Sequence, residues 1–309
     1  MNGIRDVVVR TAKRSVLLRR FASTWGELLL GDPFLAGGTL AYRSMRLLCR
    51  SNIAHDVALR YYARRASRAP FRVMASTAFR MTPPVPKVIG ELTEIGFSGL
   101  FKLSEEPLRE VLDDCSKAEF VAQGRAARRV KIDLDNDEHP CKDSFVYRWT
   151  NPHKQSQAVD DLAHDPYLVD IARQYLGNEP MLSHTQIWWS YPFDEGRSVY
   201  TQEYGFHYDI DDYKCIRLFL YLNDTDENNG PHVIITNTHQ RKDLFEKGHR
   251  RLTDEEARRR YGAERIKTIL GKQGDGFVSD GFGYHKGANP RRRRCMLTIR
   301  YCLTELGIA

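Results

Sequence analysis

From Met181 onward the chain breaks into short strand-like segments, 182–191, 203–210, 215–223, 231–236, 275–280 and 295–303, with turn signals such as Asn228-Asn229-Gly230-Pro231 between several of them. Most intervals lack the helix that a parallel crossover needs, so the pattern predicts an antiparallel sandwich or barrel. The last segment alternates cleanly. Arg294, Met296, Thr298 and Arg300 share one face, and Cys295, Leu297, Ile299 and Tyr301 the other. The second face is apolar and belongs against a core. The first carries two arginines, which a barrel interior accepts only where an anion sits beside them.

Ahead of the strands the pattern is helical. Ala41–Arg50 and Ile53–Arg65 read as short helices, and Val88–Phe101 as a helix, a turn and the start of a strand. Ser104 precedes Glu105 and Glu106, with Leu108, Val111 and Leu112 on one face, so a capped helix is expected there. Residues 121–160 are polar and irregular and read as loops and short strands. Asp165 as cap, Pro166 in the first turn, apolar Leu168, Ile171, Ala172 and Tyr175, and a stop at Gly177 predict another helix. Pro83, Pro84 and Pro86 mark a boundary. It separates a basic, mostly helical N-terminal extension, 1–86, from a domain over 87–309. Within that domain the capping box Thr253-Asp254-Glu255-Glu256 opens a helix in an insertion, 241–270, that serves either as a lid or as a surface excursion.

A chain of 309 residues can bury a proper core, and 41% hydrophobic with 28% charged residues is ordinary for a soluble globular protein. The net charge of +7 is uneven: residues 1–80 hold 15 Lys and Arg against 4 Asp and Glu, and the remainder is slightly acidic. Basicity therefore says little about the strand-rich part. Residues 1–25 are Arg-rich with apolar residues at helical intervals. They fit an amphipathic helix on an anionic membrane surface, a mitochondrial-type presequence, or a basic surface helix. No run of 18 apolar residues predicts a membrane span. The six cysteines are scattered without a C-x-x-C pair, which argues against a disulfide framework or zinc knuckle and for a reducing compartment. The expected location is the cytoplasm, with peripheral membrane contact or a mitochondrial destination if residues 1–25 act in either of those ways.

The stretch Gly205-Phe206-His207-Tyr208-Asp209 reads as strand, where residues two apart project from one face. His207 and Asp209 can thus point into one hole. With a further imidazole they would complete the two-His, one-carboxylate face of a non-haem iron(II) site. Downstream, Gly281-Phe282-Gly283-Tyr284-His285-Lys286-Gly287 sets His285 among glycines, where backbone can bend around a bound group.

Between about Lys87 and Tyr301 the chain resembles the phytanoyl-CoA dioxygenase family of iron(II)/2-oxoglutarate oxygenases. The resemblance rests on Phe206–Asp209, the strand Ile216–Asp224, Glu227–His232 with Thr238-His239, Gly283–Gly287, and an arginine entering the last strand. It implies a mainly β fold with flanking helices, built on a double-stranded β-helix (jelly-roll, cupin-like) barrel. It also implies that His207, Asp209 and His285 bind iron and form the catalytic centre, and that an arginine before the last strand binds the distal carboxylate of 2-oxoglutarate. Arg294 is preferred among Arg291, Arg292, Arg293 and Arg294, because it abuts the strand and shares a face with Thr298 and Arg300. Gln186, Thr185 and Thr298 are further candidates for the co-substrate site, and Trp188, Tyr208 and Tyr284 for the substrate pocket. Halogenating relatives carry a small residue where this chain keeps Asp209. The expected reaction is therefore O2-dependent hydroxylation of an aliphatic C–H in a small-molecule or lipid-type substrate, with release of succinate and CO2.

Two alternatives remain at this stage. Arg294, Thr298 and Arg300 match the last strand of alkylation-repair dioxygenases, which act on nucleic acid, but Met296 stands where that strand has asparagine. A catalytically dead barrel docked to membranes through residues 1–25 is the other. The G-P-H and H-K-G contexts disfavour the first, and the intact triad disfavours the second. His184, His232 and His239 are expected in structural roles, the last two in turns. The sequence leaves oligomeric state open.

Overall fold

The computed structural model describes residues 39–65, 75–123, 128–140, 144–193 and 205–307. The expected basic helix or presequence of residues 1–25 lies outside the described residues, as does the beginning of the 203–210 segment. Helices α1 (Leu40–Leu48) and α2 (Asn52–Arg65) come first, α1 capped by Thr39, whose hydroxyl accepts from the N–H of Tyr42 at 3.2 Å. Strand β1 (Phe79–Met81), helix α3 (Val85–Ile95) and strand β2 (Phe97–Leu103) follow. Gly96 ends α3 at φ 88°, a left-handed stop that suits glycine. Helix α4 (Glu105–Lys117), strands β3 (Phe120–Ala122), β4 (Arg129–Val130) and β5 (Val146–Thr150), and helices α5 (Gln157–Ala163) and α6 (Pro166–Leu176) complete the first half.

The second half is β6 (Met181–Ser190), β7 (Phe206–His207), β8 (Cys215–Tyr221), β9 (His232–Ile235), α7 (Leu244–Gly248), β10 (Arg251–Leu252), α8 (Asp254–Tyr261), β11 (Ile266–Ile269), β12 (Asp275–Ser279), β13 (His285–Gly287) and β14 (Arg294–Cys302). Two antiparallel sheets result. The larger runs β1-β2-β12-β8-β14-β6-β5-β3-β4 and the smaller β10-β7-β13-β9-β11. Strands β6, β8, β12 and β14 lie in the larger sheet and β7, β9, β11 and β13 in the smaller, so the chain winds between them as the expected double-stranded β-helix.

The alternation read in the last segment sorts the layers. Leu297, Ile299 and Tyr301 join Ile187, Leu218 and Leu220 in the main core, where α3–α6 cover the outer face of the larger sheet. Burying each such aliphatic side chain contributes about 1.5–3 kcal/mol. Met296 turns the other way and packs with Phe219, Phe277, Ile234 and Ile269 between the sheets. A third cluster covers the outside of the smaller sheet, with Tyr208, Val233, Ile235 and Tyr284 against Met45 of α1 and Ala257 and Tyr261 of α8.

Several expectations are refined. Helix α5 starts within residues 121–160, begun by Ser156, whose hydroxyl accepts from Val159 N–H; at seven residues it is too short to show a period. Described segments before Pro86 contact the rest of the chain: β1 pairs with β2, Met45 is fully buried, and the Asn52 side chain donates to the Lys242 carbonyl at 2.9 Å. In the 241–270 insertion, α8 lies on the outside of the smaller sheet, whereas Arg250 and Arg251 reach the interior cavity. The five described cysteines are buried and free. Among the described residues no helix is long and apolar enough to cross a membrane.

Candidate active site

His207 closes β7 and His285 opens β13, and the two strands pair with these residues opposite each other. Opposed residues in an antiparallel pair share a face, so the imidazoles are neighbours, with ring centroids 4.6 Å apart. Asp209 lies two residues past His207 and keeps its facing. Its N–H donates to the Gly281 carbonyl at 2.8 Å, which ties it to the turn leading into His285. The ligating atoms of the three side chains all lie within 4.8 Å of one another.

Both imidazoles are oriented by the same device. Nδ1 of His207 meets the Gly205 carbonyl at 2.8 Å, and Nδ1 of His285 meets that of Gly283 at 2.9 Å. A carbonyl can only accept, so Nδ1 carries a proton in each ring, which turns Nε2 toward the gap between the three side chains. Burial, with the neighbouring His285 behind it, pushes His207 down to about 4, so it is neutral at pH 7. Burial alone would raise Asp209, but Arg217 (Nη1 2.7 Å from Oδ2) and the two histidines outweigh it and hold the carboxyl well below its usual range. Two imidazoles and one carboxylate on one side of a cavity suit a divalent iron with open positions.

Arg217 also pairs with Asp211, and Asp211 meets Nη1 of Arg300 at 2.7 Å. The chain Asp209–Arg217–Asp211–Arg300 thus locks the Asp209 carboxylate from behind. Burial would raise Asp211, and Arg300 and Arg217 together keep it lowered.

The triad opens onto a cavity of about 310 Å3. Gln186, Trp188, Arg294, Thr298 and Arg300 line it, as the strand alternation requires. Thr185, Tyr208 and Tyr284 do not. Thr185 has the opposite facing from Gln186, and its hydroxyl lies 2.7 Å from Nδ1 of His153. Tyr208 and Tyr284 each adjoin a triad residue in sequence and so point out of the barrel, where their rings face Nζ of buried Lys242 at 4.4 and 5.0 Å. A place for these two in the substrate pocket does not survive the pleat.

The four consecutive arginines separate. Arg291 and Arg292 are exposed. Arg293 crosses to the loop at 133–137, donating to the Asp133 carbonyl at 2.7 Å and lying over the Trp189 ring at 4.8 Å. Arg294 is buried to 4% exposure and faces the cavity. The loop after β8 holds it there: Asn223 and Asn229 donate to the Arg293 carbonyl at 3.1 and 2.9 Å, and the Gly230 carbonyl accepts from Arg294. Gly230 has φ 71°, and a Cβ there would meet the Ala288 carbonyl at 2.5 Å, so only glycine fits this approach.

Several lining residues escaped the sequence reading. His232 is in β9, not in a turn, and its ring stacks against His285 with centroids 5.4 Å apart. Arg148, Arg217, Arg250 and Arg251 line the cavity too. The signal for Arg217 and Arg148 was present, an arginine inside the apolar runs Cys215–Tyr221 and Phe145–Trp149; Arg250 and Arg251 carried none.

Residues 106–295 match the family model described as Phytanoyl-CoA dioxygenase (PhyH). A probable alpha-ketoglutarate-dependent hypophosphite dioxygenase of Stutzerimonas stutzeri is 27% identical over 140 residues, which span 45% of this chain and 48% of that protein, about half its length. Among solved structures, the epimerase SnoN in complex with Fe3+, alpha ketoglutarate and nogalamycin RO aligns with a TM-score of 0.50 at 14% identity, covering 70% of this chain and 82% of SnoN. A second SnoN structure aligns with the same TM-score and coverage at 16% identity. The likeness to SnoN is one of fold.

Proposed function

The chain belongs to the phytanoyl-CoA dioxygenase family of iron(II)/2-oxoglutarate-dependent oxygenases, and on that premise we propose that it hydroxylates an aliphatic C–H of a small-molecule or lipid-type substrate, converting 2-oxoglutarate and O2 to succinate and CO2. The observation that carries this reading is the convergence of His207, Asp209 and His285 in the cavity that Arg294 faces. The alpha-ketoglutarate dependence in the name of the Stutzerimonas stutzeri relative supports the choice of co-substrate. Iron and 2-oxoglutarate, once bound, supply the oxidising power that puts one oxygen atom of O2 into a C–H bond.

The protein's own residues hold and orient. His207, His285 and Asp209 would hold the ion. Arg217 keeps Asp209 ionised and in place. The Arg294 guanidinium would take the distal carboxylate of 2-oxoglutarate through a charge-assisted hydrogen bond, and Thr298 and Gln186, opposite each other further along β14 and β6, line the same cavity. Trp188 and Phe219, rings 6.4 Å apart, form an apolar wall that limits water.

Anaerobic addition of iron(II) and 2-oxoglutarate is expected to give a weak visible charge-transfer band, and admission of O2 to give succinate. Well-folded protein without the band would sink this reading and leave an inactive barrel in its place.

A further inference from the structure

His232 lines the cavity at 5% exposure, and its Nε2 is buried without a hydrogen-bond partner among the described residues. Buried polar side-chain atoms are hydrogen-bonded with few exceptions, and one left unpaired is destabilising. The two imidazoles of the triad differ in this respect: His207 and His285 each have a backbone carbonyl on Nδ1 and belong to the metal-ligand set.

The orphaned ring is firmly held. His232 opens β9, and its backbone N–H donates to the Tyr221 hydroxyl at 3.1 Å, which in turn donates to the Ile269 carbonyl at 2.6 Å. The rings of Phe219, Phe277 and His285 flank it, with centroids 4.8, 5.2 and 5.4 Å away. They fix the imidazole without giving Nε2 a partner. Directly opposite on β13 is Gly287, which lines the same cavity and has no side chain to fill the space.

Its place in the cavity is specific. On β13, His285 lies two residues before Gly287, so His232 sits one step along from the triad. In its own segment, Gly230 lies two residues before His232, and the Gly230 carbonyl accepts from the Arg294 guanidinium. His232 therefore stands beside the path from the triad to Arg294, which a co-substrate tied at both ends would follow. We infer that Nε2 of His232 donates a hydrogen bond to the distal carboxylate of 2-oxoglutarate, as a second donor beside the Arg294 guanidinium. The inference rests on the oxygenase reading above and names a further residue that selects its co-substrate. A carboxylate accepts several donors at once, and an N–H meeting an ionised acceptor makes the stronger kind of hydrogen bond. A 2-oxo acid without that carboxylate would strand both donors in a buried site, so His232 adds to the discrimination against it.

The full chain, loaded anaerobically with iron(II), is titrated with 2-oxoglutarate and with 2-oxopentanoate, which has the same keto-acid end and chain length but no distal carboxylate. The charge-transfer band and calorimetry both read the binding. His232→Phe, which keeps an aromatic ring beside Phe219 and Phe277, and His232→Leu should each weaken 2-oxoglutarate by about tenfold or more and change 2-oxopentanoate less than about twofold. His232→Gln, whose amide can donate, should lose less than either. With two variants lacking the donor, poor folding of one leaves the other to decide. The inference is overturned if both acids weaken equally, which would make His232 a packing residue, or if 2-oxoglutarate binds the variants as it binds the parent. Absence of the band in the parent chain sinks the oxygenase reading instead, while calorimetry with 2-oxoglutarate still decides whether His232 takes part in binding.

Discussion

Arg293 and Arg294 are joined by one peptide bond and end on opposite sides of the larger sheet. Arg294 faces the cavity, and Arg293 braces the 133–137 loop. Arg294→Ala should therefore weaken 2-oxoglutarate by about 10–100-fold, the scale of one or two charged hydrogen bonds, whereas Arg291→Ala should change it less than about twofold. Titrating the charge-transfer band measures both, and equal losses would mean that another guanidinium holds the co-substrate. His184 gives a pH signature. Burial first, then Arg300 and Arg217, push it down to about 4, while the unfolded chain takes up this proton near 6.5. Between those values the unfolded state binds more protons, so His184 contributes stability above pH ~6.5 that is lost as pH falls toward 4. Urea midpoints of metal-free protein should fall over that window, and less steeply in His184→Gln; parallel slopes would assign the effect to other groups.

At the scale of elements, α6 shows how one predicted cap came to tie two parts of the fold. Asp165 is 1% exposed. Oδ1 accepts from the N–H groups of Tyr167 and Leu168 at 3.1 and 3.3 Å, as the sequence pattern required. Oδ2 takes the Ser76 hydroxyl and the Thr77 N–H, both at 2.9 Å, which fixes the approach to β1. Asp165→Ala removes the cap and strands those donors, at an expected cost of about 2–4 kcal/mol. Chemical denaturation checks it, and Asp165→Asn, which keeps an acceptor, should lose less. A loss under about 1 kcal/mol for the alanine variant would show that water replaces the carboxylate. The second set of contacts was invisible beforehand because residues 76 and 165 are distant in the chain. Helix α7 shows the converse: the box formed by Asp243 and Glu246 is fully made, yet its five residues are too few to display a helical period.

At the scale of the whole molecule, the metal-ligand candidates lie on β7, just past its end, and on β13, so an ion bound there would cross-link the smaller sheet. Iron(II) with 2-oxoglutarate should raise the melting temperature, by about 2.7 kcal/mol of added stability at 100 times the dissociation constant. A chelator should reverse the rise, and Asp209→Ala should abolish it; a chelator-insensitive rise would place the effect elsewhere. The same scale separates what the chain's letters fixed from what folding decided. Period-two alternation assigned Arg294, Thr298 and Arg300 to one face and the apolar partners to the other, and turn chemistry divided the strands, because both are properties of neighbouring residues. The His207–Asp209 pair followed from that same local rule. Which sheet each strand joins, the packing of Met45 beneath the smaller sheet, and the opposition of His207 and His285 depend on residues far apart in sequence. No local pattern encodes such meetings: they follow from how two twisted sheets bury their apolar faces together, and the polar groups on the inner faces are thereby drawn into one cavity.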